Sequence, residues 1–275
     1  MRIKGKELNV WACGKTSGKL AGKLGQPIQP KELTIFFIHG LGSSQNYYYA
    51  LLPELVKRAN CILMDTEGSA LSSLGPLKPS VNSIVGDIKD LLLSYGVTGK
   101  LIIVGHSMGG ITATKFAEKY HSVSGLILIS PVHPNETIQK VMANRAKTVR
   151  ESNSVIEIAN SVAENAPGSL STYLHRAFIR SLVSQQSPSG YAAMCEVIAT
   201  AEPADYSKIN IPVLILVGED DKTAPYETCS KVIEHSLSGP TNVHKLRGVG
   251  HWPCIECSDD VTRNIVNWLL AKGFA

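Results

Sequence analysis

The sequence predicts an α/β fold, a mostly parallel central sheet flanked by helices, with a helical insertion between two strands. Three observations predict it. Runs of β-branched and aliphatic residues alternate with amphipathic stretches of helical length, the pattern of parallel strands joined by helical crossovers. One such run, LIIV at 101–104, passes directly into a glycine-rich turn and then into helix-forming residues. A long segment, 132–207, keeps a helical period and contains no convincing strand.

Taken in order, ELTIFFI at 32–38 reads as a buried strand, as do NCILM at 60–64, LIIV at 101–104, GLILIS at 125–130 and PVLILV at 212–217. Helices are expected near 47–58, 81–95 and 108–120. After the last strong strand come a helix near 226–236, a short strand around 242–246 and a closing helix near 259–272. That last helix carries Val261, Ile265, Val266, Trp268, Leu269 and Leu270 at mostly helical spacing, which is core packing. The helical segment has breaks at Pro167–Gly168 and at 187–190. The chain thus divides into a core, 1–131 with 208–275, and a helical lid, 132–207. The lid is expected over the C-terminal ends of the strands, where open α/β sheets bind ligands.

At 275 residues with 44% hydrophobic and 18% charged content, the chain has the composition of a soluble globular protein with a substantial core. The net charge of +4 comes from scattered Lys and Arg, which argues against nucleic-acid and membrane partners. MRIKGKELNV has charges where a signal peptide needs its apolar segment, and no apolar run approaches the roughly 18 residues of a membrane span, so a cytoplasmic location is expected. The six cysteines are expected to be reduced. Cys13, Cys61, Cys195 and Cys229 read as small hydrophobes. Cys254 and Cys257 form a CxxC without a second ligand pair, so no metal is expected. GKTSGK at 14–19 has Asn9 where a phosphate-binding loop needs its first glycine, and reads as a hairpin connection instead.

A sharp strand-to-helix turn leaves the serine of G-H-S-M-G clear of its neighbours, with the first helical N–H groups aimed at whatever it attacks. The residues two before and two after it come close together, and Gly105 and Gly109 satisfy that need for smallness. Ser107 requires a base, and the base requires an orienting carboxylate. Both follow in chain order: Asp220 and Asp221 lie directly after the strand of PVLILVGEDDKTAP, and His251 lies in the glycine-flanked loop RGVGHW. The two aspartates point in different directions at the strand end, and their order alone does not choose between them. For the oxyanion, the expected donors are the backbone N–H of Met108 and that of Leu41 in IFFIHGLGSS.

HGLG at 39–42, DTEGSALS at 65–72, GHSMGG at 105–110, GEDDKTAP at 218–225 and GHW at 250–252 together resemble the α/β-hydrolase superfamily over nearly the whole chain. The resemblance implies the α/β-hydrolase fold. It also favours Asp221, three residues after the glycine ending its strand, as the acid. Ala70 departs from it, standing where a glycine is common. The stretch at 189–221 is similar to the end of the lid in 3-oxoadipate enol-lactonases, which implies an ester or lactone substrate of modest size. A serine at the elbow, rather than an aspartate, implies acyl transfer; C–C bond hydrolases and lactone-sensing receptors share the same plan. No cofactor is expected. Met142, Tyr173, Phe178, Tyr191 and Met194 are expected to line an apolar substrate pocket, and Tyr47, near its entrance, and Trp252, directly after the base, are expected to contact substrate.

Overall fold

The computed structural model describes residues 1–14 and 32–275. The connection at 14–25, with its GKTSGK, lies outside the described residues beyond Gly14. The centre is a seven-stranded sheet in the order β3-β5-β4-β6-β7-β8-β9, formed by Val10–Cys13 (β3), Thr34–Ile38 (β4), Asn60–Met64 (β5), Leu101–His106 (β6), Val123–Ile129 (β7), Val213–Gly218 (β8) and Thr241–Leu246 (β9). All pairs are parallel except β3 with β5. Strands β4, β5, β6 and β8 are buried along their whole length, which explains why they read as continuous apolar runs.

The N-terminal strands escaped the sequence reading. Arg2–Ile3 (β1) and Lys6–Glu7 (β2) form a two-residue hairpin, and β3 is an edge strand only half buried. β1 and β2 are two residues long and carry charges, and β3 is only four residues long. Lys6 is nevertheless buried, held by Glu67 at 2.7 Å and Asp87 at 2.6 Å.

Helices Val81–Ser94 (α2), Met108–Lys119 (α3) and Ser258–Ala271 (α10) match their expected ranges within a residue or two. The helix expected at 47–58 is instead a 3-10 stretch, Gln45–Leu51, followed by the single turn Leu52–Leu55 (α1). Pro53 has no N–H to continue the ladder, so the helical run restarts there. The helix expected at 226–236 is shortened to Ser230–Ser236 (α8), because 225–229 form turns closed on Pro225 O.

Between β7 and β8 the chain makes four helices, Glu136–Ser152 (α4), Ile156–Asn165 (α5), Tyr173–Ser184 (α6) and Pro188–Ala199 (α7). Pro167–Gly168 separates α5 from α6, while Ser187 caps α7 and Pro188 starts it, where a proline costs no hydrogen bond. Helix α4 packs on α7, and α5 on α6. No helix among the described residues is long and apolar enough to cross a membrane.

Strand β4 has β5 on one side and β6 on the other, so the chain leaves it in opposite directions. At such a switch point the loops beyond the C-terminal strand ends separate and leave room for a site. The motifs of the sequence lie there, after β4, β5, β6, β8 and β9.

Candidate active site

Ser107 joins β6 to α3 with φ 53° and ψ −117°. A side chain is disfavoured in such a conformation by about 1–3 kcal/mol. Three backbone bonds hold it: Ser107 N–H donates to Ile129 O at 3.1 Å, and Ser107 O accepts from Gly110 N–H at 2.9 Å and Val132 N–H at 3.2 Å. The flanking glycines allow the turn. A Cβ on Gly105 would lie 2.4 Å from Gly109 O, and one on Gly109 would lie 2.2 Å from Ile38 O.

The Ser107 hydroxyl lies 2.9 Å from His251 Nε2, and His251 Nδ1 lies 2.8 Å from Asp221 Oδ2. The other carboxylate oxygen of Asp221 accepts from the N–H groups of Thr223 and Ala224 at 2.8 and 2.9 Å. Burial pushes the Asp221 carboxyl up, but the facing imidazole and these two N–H groups outweigh it and hold the pKa below its ordinary value. An ionised carboxylate fixes the proton of a neutral His251 on Nδ1. Nε2 is then left to accept from the Ser107 hydroxyl.

Asp220 faces elsewhere: its Oδ2 accepts from Ser169 N–H at 2.8 Å and Ser169 O–H at 2.7 Å. Of the two adjacent aspartates, only Asp221 meets the imidazole.

Two further histidines pack beside this arrangement. His39 Nε2 accepts from Thr66 N–H at 3.0 Å, so Nδ1 carries the proton and donates to Gly40 O at 2.8 Å. In a trans peptide the carbonyl and the following N–H point in opposite directions, so this bond turns Leu41 N–H away from the His39 ring. Gly40 itself rests on the serine, since a Cβ there would lie 2.8 Å from Ser107 Cβ. Met108 opens α3, and its N–H is among those that a helix leaves without an internal acceptor.

His106 is wholly buried, and burial pushes its pKa well below the ordinary histidine range. The neutral ring donates from Nε2 to His251 O at 2.8 Å. Its Nδ1 has no hydrogen-bond partner and faces the Cα of Gly40.

The expected pocket residues divide into three groups. Tyr47 and Trp252 are sealed in the core: Tyr47 stacks on His106 at 4.1 Å between ring centroids and meets Trp252 edge-on at 5.8 Å. They form the packing behind the imidazole, which corrects the expectation that they contact substrate. Tyr173 is 93% exposed and Phe178 is also on the surface, because α6 buries Ile179, Leu182 and Val183 instead. Met142, Tyr191 and Met194 are buried, and the Tyr191 ring lies against Gly42 of the HGLG loop.

Cys254 is buried with its N–H on Tyr47 Oη at 3.3 Å, and Cys257 is partly buried. Among the described residues, no group of three or more His, Cys, Asp or Glu side chains is placed to hold a metal ion.

One buried group had no signal in the sequence. Glu256, in the short helix Pro253–Glu256 (α9), reads as an ordinary solvated charge, yet it accepts hydrogen bonds from the N–H groups on both sides of His251.

The chain is similar to several known hydrolases. The family model described as serine aminopeptidase, S33 matches residues 29–258. A curated relative, 2-hydroxy-6-oxo-6-(2'-aminophenyl)hexa-2,4-dienoic acid hydrolase of Metapseudomonas resinovorans, is 23% identical over 92% of this chain and 87% of its own length. The 3-oxoadipate enol-lactonase 2 of Acinetobacter baylyi is 25% identical over 76% of this chain and 79% of its own. A thermophilic esterase from Thermogutta terrifontis superposes with a TM-score of 0.83 at 23% identity, covering 97% of this chain and 94% of that one. The fold is that of the α/β-hydrolases. The chain belongs to the serine aminopeptidase (S33) family of that superfamily, a family of hydrolases.

Proposed function

We propose that the protein is a serine hydrolase that cleaves a carboxylic ester or lactone of modest size through an acyl-enzyme on Ser107. The observation that carries this reading is the unbroken hydrogen-bonded chain from Asp221 through His251 to the Ser107 hydroxyl, at 2.8 and 2.9 Å.

In this mechanism Ser107 Oγ attacks the carbonyl carbon while His251 Nε2 takes its proton. Asp221 keeps the reactive tautomer and stabilises the imidazolium. The new oxyanion is received by Leu41 and Met108 N–H, each worth about 3–4 kcal/mol if they behave as such donors do elsewhere. The imidazolium then protonates the leaving oxygen. Water activated by the same imidazole attacks the acyl-enzyme and releases the acid, and no cofactor takes part.

Segment 132–207 serves as the lid that limits what reaches the serine. Ser107 and His251 are only 6% and 5% exposed, which favours a small acyl group. The names of the enol-lactonase relative and the esterase neighbour support an ester or lactone.

A second reading has one observation in its favour. The substrate in the name of the Metapseudomonas relative contains no ester or amide, so its hydrolysis must break a carbon–carbon bond. Activity of this protein on such a dienoic keto acid, and none on esters, would select that reading.

The test is a panel of p-nitrophenyl esters and lactones of increasing chain length and ring size, compared by kcat/KM. Short acyl groups should be preferred, and Ser107→Ala should abolish turnover with folding preserved. A preference for long acyl chains would overturn the small-substrate reading. No turnover, with no labelling by a fluorophosphonate, would favour a lactone-binding sensor over an enzyme.

A further inference from the structure

The carboxylate of Glu256 is buried and takes four hydrogen bonds, all from neutral donors. Oε2 accepts from Gly250 N–H at 2.8 Å, Gly168 N–H at 2.7 Å and Ser171 O–H at 2.7 Å. Oε1 accepts from Trp252 N–H at 2.8 Å. Gly250 and Trp252 are the chain neighbours of His251. Gly168 and Ser171 belong to the loop between α5 and α6, in the helical insertion.

The same two loops meet elsewhere along their length. His251 N–H donates to Ala166 O at 2.9 Å, and Leu170 N–H donates to Gly248 O at 2.9 Å. The contact is backbone on backbone: a Cβ on Gly168 would lie 2.5 Å from Gly250 N, and one on Gly250 would lie 2.4 Å from Gly168 N. Asp220, beside the acid of the site, holds Ser169 of this loop through two bonds. The loop at 166–171 is therefore fastened both to the segment carrying Asp221 and to the segment carrying His251.

A buried anion is costly unless its lone pairs are filled, and the filling bonds are the stronger, charge-assisted kind. Two donors of Glu256 come from the histidine loop and two from the insertion. If either loop moves away, the carboxylate loses half of its partners while the other half still holds it in the interior. Its charge therefore favours the arrangement in which both loops are docked.

We propose that Glu256 is a positioning residue that locks the His251 loop to the insertion, so that the imidazole stands at Ser107 only while the 166–171 loop is docked. This rests on the reading of His251 as the general base. It adds that the insertion acts on the chemical step as well as on access.

Glu256→Gln keeps the shape but turns one acceptor into a donor facing an N–H group. With folding verified by circular dichroism, kcat on a p-nitrophenyl ester should fall about 100-fold, the effect of a misplacement of about 1 Å. KM should stay within about twofold, because no substrate contact is removed. The downfield proton resonance of His251 Nδ1–H, in its bond to Asp221, should shift or broaden. Ser171→Ala removes one donor from the insertion side only, and should lower kcat about fivefold, as expected for a hydrogen bond worth about 1 kcal/mol.

A folded Glu256→Gln protein with wild-type kcat and an unchanged His251 resonance overturns the proposal. If that variant does not fold, Ser171→Ala decides, and wild-type kcat with an unchanged resonance in it overturns the proposal too. If the wild type neither turns over nor labels, yet Glu256→Gln alters the resonance, the hydrolase reading fails and the positioning of His251 stands.

Discussion

In the proposed mechanism, the reactivity of Ser107 depends on which neighbours are aimed at its hydroxyl. His251 Nε2 and Asp221 are aligned with it, and the adjacent Asp220 is not. Asp221→Asn should therefore lower kcat by about 10⁴, as expected when the base is left in the wrong tautomer. Asp220→Asn keeps a carbonyl acceptor for Ser169 and should stay within about threefold of wild type, roughly the effect of one hydrogen bond. Steady-state kinetics of the pair checks the assignment, and a larger loss from Asp220→Asn would reverse it. Ala70 provides a second test at this scale. It adopts φ 48°, a conformation that suits the glycine common at this place in the superfamily. Ala70→Gly should raise stability by about 0.5–1 kcal/mol, since relief of backbone strain outweighs the greater freedom of the unfolded chain; urea unfolding measures it.

Among the elements, the packing of α3 against β4 and β6 depends on two residues having no side chain. Gly109→Ala would place a methyl group 2.2 Å from Ile38 O, a backbone atom that cannot rotate away. The helix must move, at a cost of about 1–3 kcal/mol, and activity should fall with it because the serine turn begins that helix. The insertion is tied to the core by a buried amide. Gln186 accepts from Ala70 N–H at 2.9 Å and donates to Ser43 O at 3.0 Å and Leu182 O at 2.8 Å. Gln186→Ala leaves buried backbone groups without partners and should cost about 1–3 kcal/mol in chemical denaturation. Ser43 O lies two residues beyond Leu41, so the same variant should also loosen the HGLG loop. Of these element contacts the sequence made the glycines legible, through their spacing around Ser107. Gln186 and Glu256 were not legible, because polar residues at helix ends look the same whether solvated or buried.

For the whole molecule, acid stability follows from its buried histidines. Burial holds both His39 and His106 below the ordinary histidine pKa. Below about pH 6.5 each takes up a proton in the unfolded chain and not in the folded one. The unfolded state then binds more protons, so stability rises with pH and is lost on acidification, by about 1.4 kcal/mol per pH unit for each histidine. Unfolding free energy should be flat above that pH and decline as the pH falls below it. Below about pH 4 protonation of Asp221 adds to the loss, since its folded pKa lies under the unfolded value. A profile flat down to pH 4 would contradict the burial of these rings in neutral form.

The sequence by itself determined the parallel sheet, the helical insertion and the order of the three motifs, because each is written in local periodicity or in a turn that only certain residues can make. The tertiary structure decided which aspartate meets His251, which aromatics are packing and which are exposed, and that the insertion grips the histidine loop through Glu256. Those matters depend on contacts between segments far apart in the chain. A residue's type records what bonds it can make, and only the fold determines which partners stand within 3 Å of it.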